Sequence, residues 1–279
     1  KTENIDWLED FVLFNVMRRA HGGAPWTDWP KELARRAAGG LHRFGLEYER
    51  ELEVERAIQF AFFEQWRALR SFCGARGIRM IGDVAIFVNY DSADVWRHPY
   101  LFHLDNELQP TVVSGVPPDA FSATGQRWGN PLYRWDVCQA RGYDWWIQRM
   151  AWSARNFDLV RIDHFRGFES FWEIPAPEPN AIHGRWVKGP ADDFFRALRA
   201  ALGDLPILAE DLGMITAEVH ALRERIGVPG MKVLQFGFGD AGAHIYLPHR
   251  FEPNCVVYTG THDNDTTVGW WNSTGGGDS

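Results

Sequence analysis

At 279 residues the chain is long enough to bury a large core, either as one α/β domain or as two small domains. A formal net charge of -8 and a sequence pI near 5.7 argue against nucleic-acid and anionic-membrane surfaces, because both need clustered Lys and Arg. No apolar stretch approaches membrane-spanning length, and the three cysteines stand far apart outside any CxxC spacing, which favours free thiols in a reducing cytoplasm.

The first part of the chain is predicted to be helical. The apolar pattern predicts a helix over residues 5–19 and a longer helix over residues 51–73. Large apolar side chains at helical spacing form a stripe on the longer helix: Ile58, Phe62, Trp66, Leu69 and Phe72. We expect this stripe to pack in the core, which is the ordinary role of such a pattern.

From residue 77 onwards strand patterns alternate with helix patterns. The predicted strands are residues 78–88, a strand that runs into the segment RIDHF at residues 161–165, and residues 206–210, 232–238 and 255–263. The predicted helices are residues 144–157, 192–202 and 216–226, the last with Thr216 as its N-cap. Residues 89–135, and the stretch between RIDHF and Gly189, are predicted to be loops. Strands that alternate with helices indicate parallel strands joined by crossover connections.

Polar residues lie at the ends of several successive predicted strands. Four carboxylates lie in or at the end of separate predicted strands: Asp83, Asp163, Glu210 and Asp263. Arg161 precedes Asp163 by two residues and shares its face of the strand, and His262 precedes Asp263. Because no GxGxxG follows a strand and no P-loop is present, the pattern favours a (β/α)8 TIM barrel, whose active sites lie at the carboxyl ends of the strands. Seen alone, Arg161 and Asp163 are equally compatible with a structural ion pair.

Converging carboxylates suit the retaining chemistry of glycosides. Like charges that meet raise the pKa of one acid and leave another ionised. One carboxylate can then attack the anomeric carbon while a protonated acid, about 5 to 5.5 Å away, releases the leaving oxygen. Arg161 is expected to keep Asp163 ionised and therefore nucleophilic.

Several segments are similar to a known family. RIDHFRG, AEDLG and GTHDND resemble conserved regions of the α-amylase superfamily. The longer segments that resemble the amylomaltases, or 4-α-glucanotransferases, of glycoside hydrolase family 77 are IGDVAIFV, GVPPDAFSATGQRWGNPLYRWD, WEIPA, GMKVLQF and YTGTHDNDTT. The likeness runs from near Lys1 to about Trp271. It implies an α/β fold with an incomplete barrel: residues 77–279 would hold about strands three to seven, and residues 1–76 a helical insertion at the N-terminal side, in a fragment of a longer enzyme.

The resemblance also implies roles for individual residues. Asp163 would be the nucleophile, Glu210 the general acid/base and Asp263 the stabiliser of the transition state. Arg161 and His262 would orient the bound sugar. No metal and no cofactor are implied.

Further residues are implied to bind substrate. Asp83 would line the donor side, although it could equally brace the barrel. The residues implied in a segment that folds over the glucan are Asp119, Phe121, Gln126, Trp128 and Asn130. Some family members carry a second aromatic residue where this chain has Ala120. His164 is expected to be scaffold, and its neighbourhood matches no zinc signature.

The implied activity is transfer of α-1,4-glucan segments to the 4-hydroxyl group of another glucan or of glucose, by a retaining double displacement in the cytoplasm. The substrates would be maltooligosaccharides or other α-1,4-glucans, and the sequence does not indicate an oligomeric state. A hydrolase with the same three carboxylates and water as acceptor is the main alternative. A non-catalytic glucan-binding protein would be expected to lack at least one of Asp163, Glu210 and Asp263, and all three are present.

Overall fold

A computed structural model of the chain describes residues 7–119, 122–213, 215–238 and 245–273. The α-helices in these residues are α1 (Leu8–Ala20), α2 (Lys31–Ala34), α3 (Ala38–Glu47), α4 (Glu49–Gly74), α5 (Ala93–Arg97), α6 (Trp135–Ala140), α7 (Asp144–Asn156), α8 (Ala191–Leu202), α9 (Ala217–Ile226) and α10 (Thr267–Ser273). The strands are β1 (Ile81–Ala85), β2 (Val112–Val116), β3 (Gln126–Pro131), β4 (Leu159–Asp163), β5 (Ser170–Pro175), β6 (Arg185–Lys188), β7 (Ile207–Ala209), β8 (Gly230–Val233) and β9 (Cys255–Tyr258). Short 3-10 helices cover Trp26–Asp28, Pro99–Leu101, Phe165–Phe168, Leu234–Phe238 and Pro248–Arg250.

Parallel strands follow one another in the order of the chain. β1, β4 and β7 form a parallel sheet in that order, and β8 pairs in parallel with β9. The N–H of Ala209 at the end of β7 donates to the carbonyl of Pro229, just before β8, at 2.9 Å. α7 lies between β1 and β4 along the chain, α8 between β4 and β7, and α9 between β7 and β8. This alternation confirms the predicted α/β class, and it places the carboxyl ends of the strands on one side.

Aromatic rings hold the helices against these strands. Val160 and Ile162 of β4 are fully buried. Phe168, shortly after β4, stacks on Phe194 of α8 with 4.7 Å between ring centroids, and Trp146 of α7 meets Phe194 edge-on at 5.6 Å. Burial of one such side chain contributes about 1.5–3 kcal/mol, so this layer fixes α7 and α8 relative to the strand ends.

The two predicted loops contain a second sheet, and the prediction of loops there was wrong. Strands β3, β2, β5 and β6 form an antiparallel sheet in that order. Val113 of β2 and Ile174 of β5 pair across it and are buried with Ala181 in a small separate core. Each strand is short, and although β3 and β6 pair with strands near them in the chain, β2 meets β5 only across α6, α7 and β4, so local patterns flanked by Gly and Pro do not reveal the sheet.

Four predicted strands are shorter in the structure. The run over residues 78–88 is reduced to β1 (Ile81–Ala85) and the run over residues 206–210 to β7 (Ile207–Ala209). The run over residues 232–238 leaves the sheet after Val233 and continues as a 3-10 helix. The run over residues 255–263 leaves it after Tyr258 and enters a turn. Thr216 does occupy the N-cap position of α9, but its side chain caps no main-chain N–H and hydrogen-bonds to Glu218 instead.

The apolar stripe on α4 does not pack in the core as predicted. Ile58, Phe62, Leu69 and Phe72 are each about half exposed. The helix packs through a neighbouring face, where Phe63 meets Trp7 and Trp152. Of the predicted stripe, Trp66 does pack inward, because its ring meets Phe157 and its Nε1 donates to the carbonyl of Asn156. A helix with apolar residues on two faces can turn only one of them toward α1 and α7, so helical spacing alone could not identify the buried face. Across the described residues, no helix combines the length and the apolar character needed to cross a membrane.

Candidate active site

Arg161 joins Asp83, in the middle of β1, to Asp163 at the carboxyl end of β4. Its Nε and Nη2 atoms donate to Oδ1 and Oδ2 of Asp83 at 2.8 and 3.0 Å, and Nη2 also donates to Oδ1 of Asp163 at 2.9 Å. The register places Asp83 opposite Arg161, and alternation along β4 places Asp163 on the same face. The hydrogen bond to Asp83 is the main cause that raises the pKa of Arg161, so this cation is fixed between the two acids.

Asp163 is a partly exposed carboxylate in a crowded charged surrounding. Burial raises its pKa, the charge of Arg161 opposes that effect, and the charges of Asp83 and Asp263 raise the pKa further. Arg161 thus acts in the predicted direction, but the net shift is upward because burial outweighs it. The third predicted carboxylate, Asp263, therefore lies close enough to Asp163 to affect its pKa.

Glu210 follows β7 and is held by main-chain donors. Its Oε2 accepts from the N–H of His164 at 2.8 Å, and its Oε1 accepts from the N–H of Leu212 at 2.9 Å. Burial raises the pKa of Glu210 to about 7; the two main-chain donors oppose this shift and the charge of Asp163 adds to it. A carboxyl group with this pKa can both give and take a proton near neutral pH.

His164 belongs to the site, although the sequence did not identify it as a site residue. Its φ of 51° lies in the left-handed region, and this turns the main chain directly after Asp163 so that its N–H meets Glu210. The side chain is half-buried with its Nε2 shielded from solvent, and burial lowers the pKa of His164 to about 3, so the imidazole is neutral. The signal available in the sequence was its position immediately after a carboxylate at a strand end.

Asp263 and His262 lie on an exposed turn after β9. Oδ1 of Asp263 is 3.4 Å from Nε2 of His262, and about three-quarters of the surface of each side chain is exposed. The turn is closed by Asn264, whose Oδ1 accepts from the N–H and the hydroxyl of Thr261 at 2.9 and 3.0 Å. The main chain of the turn therefore determines where the Asp263 carboxylate lies.

Trp128 connects the antiparallel sheet with the carboxylates. Its ring is 39% exposed and meets the ring of His164 edge-on, with 4.8 Å between centroids. Its Nε1 donates to Oε1 of Gln126 at 3.0 Å. An exposed indole next to the site, held in place by Gln126, is a surface on which a sugar ring can stack.

The other residues predicted in this segment have different surroundings. Nδ2 of Asn130 donates to the carbonyl of Val88 at 3.0 Å, and its Oδ1 accepts from the hydroxyl of Ser114 at 3.4 Å, so this side chain ties β3 to its neighbours. Oδ1 of Asp119 accepts from the N–H of Ser122 at 2.8 Å. The roles of Asn130 and Asp119 toward a substrate stay predictions, and Phe121 and Ala120 lie outside the described residues.

The arrangement can perform acid–base and nucleophilic chemistry. It offers one partly exposed carboxylate beside an arginine, one half-buried carboxyl group with a pKa of about 7, and a third, solvent-facing carboxylate. Where residues are described, His, Cys, Asp and Glu side chains do not form a group of three or more that could hold a metal ion.

Comparisons with known proteins agree on one family. The model of the glycoside hydrolase 77 family, described as 4-alpha-glucanotransferase, matches residues 1–277. The chain is 55% identical over 267 residues to a 4-alpha-glucanotransferase of Thermus thermophilus, covering 95% of this chain and 53% of that protein. It is 46% identical over 267 residues to the chloroplastic/amyloplastic 4-alpha-glucanotransferase of Solanum tuberosum, covering 96% of this chain and 46% of that protein.

Among solved structures, amylomaltase from Streptococcus agalactiae in complex with acarbose superposes with a TM-score of 0.93 at 38% identity. The match covers 97% of this chain and 55% of that one. The chain thus spans about half the length of the curated relatives that it matches.

Proposed function

Because the chain belongs to the 4-alpha-glucanotransferase family of glycoside hydrolases, family 77, we propose that it provides the catalytic region of an enzyme that transfers α-1,4-glucan segments with retention. The observation that supports this best is the pairing of Asp163 with Glu210. One is a partly exposed carboxylate beside Arg161, and the other has a pKa of about 7 and is held by the residue that follows Asp163.

The proposed reaction is a double displacement. In the first step, Asp163 attacks C1 of the donor glucan, the glycosidic bond breaks, and Glu210 gives its proton to the departing 4-oxygen. In the second step, Glu210 takes the proton of an acceptor 4-hydroxyl group, whose oxygen attacks C1 and releases Asp163. Two inversions at C1 give net retention, and no redox or metal step is needed. Asp263 stabilises the positive charge that develops on the sugar in both steps.

The proposed substrates are maltooligosaccharides and other α-1,4-glucans. The structural neighbour from Streptococcus agalactiae holds acarbose, and its similarity to this chain extends over nearly the whole of the described fold. Trp128 offers a ring for stacking beside the carboxylates, and Arg161, Asp83 and His262 offer polar groups for sugar hydroxyls. Gln126 orients Trp128, while Asn130 and Asp119 are proposed to shape the segment that covers the glucan.

The proposed architecture is an arc of an eight-stranded barrel. β1, β4, β7, β8 and β9 would be about strands three to seven, and residues 77–279 the barrel portion. Residues 1–76, which hold α1 to α4, would be a helical insertion at its N-terminal side. Support comes from the order of the parallel strands and from the match to about half of a longer amylomaltase. Free thiols at Cys73, Cys138 and Cys255 agree with a cytoplasmic location.

The test is incubation of the full-length protein with maltotriose. Transfer gives glucose together with a ladder of longer maltooligosaccharides, and the total of reducing ends stays constant. Hydrolysis with water as acceptor gives glucose and maltose, and the total of reducing ends rises. That result would overturn the proposal of a transferase and show that the enzyme is a hydrolase. Asp163→Asn should lower kcat by about 10⁴-fold or more, and unchanged transfer in this variant would overturn the assignment of the nucleophile.

A further inference from the structure

We propose that Gln235 is a positioning residue that holds the turn carrying Asp263 in the place where that carboxylate can act. This inference rests on the proposed function and deepens it, because Gln235 itself is not proposed to touch the substrate. Gln235 is the second residue after β8, in the 3-10 helix Leu234–Phe238, and is only 9% exposed. A buried amide side chain at the end of a strand is costly unless its polar atoms have partners, so its contacts indicate what it does.

Gln235 binds both ends of the turn. Its main-chain N–H donates to the carbonyl of Thr259 at 3.2 Å, where the chain enters the turn from β9. Its side-chain Nε2 donates to the carbonyl of Asp265 at 3.0 Å, where the chain leaves the turn. His262 and Asp263 lie between these two points. One residue of the neighbouring strand end thus spans the segment that carries the third proposed catalytic carboxylate.

The fit between Gln235 and the turn is close. A Cβ atom added to Gly260 would lie 3.0–3.1 Å from the Nε2, Cδ and Oε1 atoms of Gln235. The amide therefore lies against the backbone at Gly260, and the absence of a side chain there allows this approach. Asp265, on the far side, accepts from the N–H of Thr266 through its own carboxylate at 2.7 Å. The bond from Gln235 to Asp265 consequently also connects the turn to the start of α10.

Asp263 needs this support because, among the residues that the structure describes, its own contacts are with His262 and Thr261 of the same exposed turn. The hydrogen bonds between Thr261 and Asn264 determine the shape of the turn but not its position relative to the other carboxylates. Packing does not fix the Asp263 side chain, since three-quarters of its surface is exposed. The pairing of β8 with β9 ends at Val233 and Tyr258, and beyond it the two bonds from Gln235 continue the connection between β8 and the turn, and through β8 to the strands that carry Glu210 and Asp163.

A displaced Asp263 should destabilise the transition state more than it weakens the binding of the substrate. Positive charge on the sugar develops as the glycosidic bond breaks, and a misplacement of about 1 Å can cost on the order of 10²-fold in rate. Loss of Gln235 should therefore lower kcat and leave KM nearly unchanged. This split separates a positioning role from a role in substrate binding.

The experiment compares Gln235→Met with Gln235→Glu in the full-length protein. Methionine has a similar volume but cannot donate to Asp265, and glutamate places a second oxygen against the Asp265 carbonyl. We expect each variant to lower kcat of maltotriose transfer by about 10- to 100-fold, with KM within about threefold of wild type. Gln139→Met is the matched control: Nε2 of Gln139 donates to Asp193 at 2.9 Å on the surface, and loss of that bond should leave kcat unchanged. A Gln235→Met variant within twofold of wild type would overturn the inference.

A double substitution shows whether Gln235 acts through Asp263. In an Asp263→Asn background, Gln235→Met should change kcat by less than about twofold, because the carboxylate that it positions is already gone. An α-maltosyl fluoride donor keeps the rates of these variants measurable. If Gln235→Met lowers kcat by the same factor in both backgrounds, its effect is only structural and the inference is wrong. If Asp263→Asn itself keeps wild-type activity, the proposed role of Asp263 is wrong and so is the inference. This outcome is distinct from one in which Asp263 is essential and Gln235 is not.

Discussion

The main-chain N–H of His164 donates to Oε2 of Glu210 at 2.8 Å, so the residue that follows one proposed catalytic carboxylate fixes the position of the other. The second oxygen of Glu210 accepts from the N–H of Leu212. Both partners are backbone groups at the ends of neighbouring parallel strands, β4 and β7. The position of the acid therefore depends on the register of two strands more than on any side chain, and its pKa depends on burial.

The rate of transfer should fall above about pH 7. Glu210 must hold a proton to release the departing 4-oxygen, and its pKa is raised to about 7. We expect kcat/KM for maltotriose, measured as the initial release of glucose from about pH 5 to about pH 9, to lose activity as Glu210 ionises. An α-maltosyl fluoride donor, whose fluoride leaves without a proton, should not show this alkaline decrease. If the decrease persists with the fluoride, a group other than Glu210 causes it.

The stability of the protein should also change with the ionisation of Glu210. Its pKa is raised from 4.5 to about 7 in the folded state, so the folded protein binds this proton more tightly than the unfolded chain. The resulting stabilisation is complete below about pH 4.5 and is lost as the pH rises through about 7. From this group alone, the free energy of unfolding should fall by up to about 3 kcal/mol over that range.

Urea unfolding at about pH 5 and about pH 8 measures this loss. The control is Glu210→Gln, which has the same shape and does not titrate, so the difference between the two pH values should be smaller in this variant. Equal differences in wild type and variant would show that burial does not raise the pKa of Glu210.

Local rules could predict part of this site, and long-range pairing decided the rest. Alternation along a strand predicts that Arg161 and Asp163 share a face, and the structure confirms it through their hydrogen bond. The bidentate pair of Arg161 with Asp83 needs the register between β1 and β4, which no local pattern contains. The left-handed backbone at His164 is equally invisible in the sequence, because the surrounding fold imposes it on a residue that would otherwise avoid it.

Trp128 should contribute to substrate binding through its exposed ring. Replacement by alanine removes the surface on which a sugar can stack and leaves the hydrogen bonds of Glu210 in place. We expect Trp128→Ala to raise KM for maltotriose by about three- to tenfold, which corresponds to about 0.5–1.5 kcal/mol of lost contact. Trp128→Phe keeps a ring and should lie between wild type and alanine. An unchanged KM in both variants would contradict a stacking role.

Arg223 and Asp211 should be essential to stability although neither is proposed to act on substrate. Both are buried, with 3.3 Å between Nε of Arg223 and Oδ2 of Asp211, and Oδ1 of Asp211 accepts from the N–H of Met231 at 2.7 Å. The pair connects α9 to the residue that follows Glu210 and to β8. Arg223→Met leaves a buried carboxylate without its cation, so we expect the free energy of unfolding to fall by about 3–5 kcal/mol.

The matched control for Arg223→Met lies on the same helix. Arg225 pairs with Asp192 at 2.8 Å, but that pair is exposed to solvent. Water and salt screen exposed ion pairs, so Arg225→Met should change the stability little. Urea unfolding of the two variants side by side measures the contrast. Equal losses in both would mean that burial of Arg223 and Asp211 does not set the strength of their pair, and a stable Arg223→Met variant would show that the carboxylate of Asp211 finds another partner or becomes protonated.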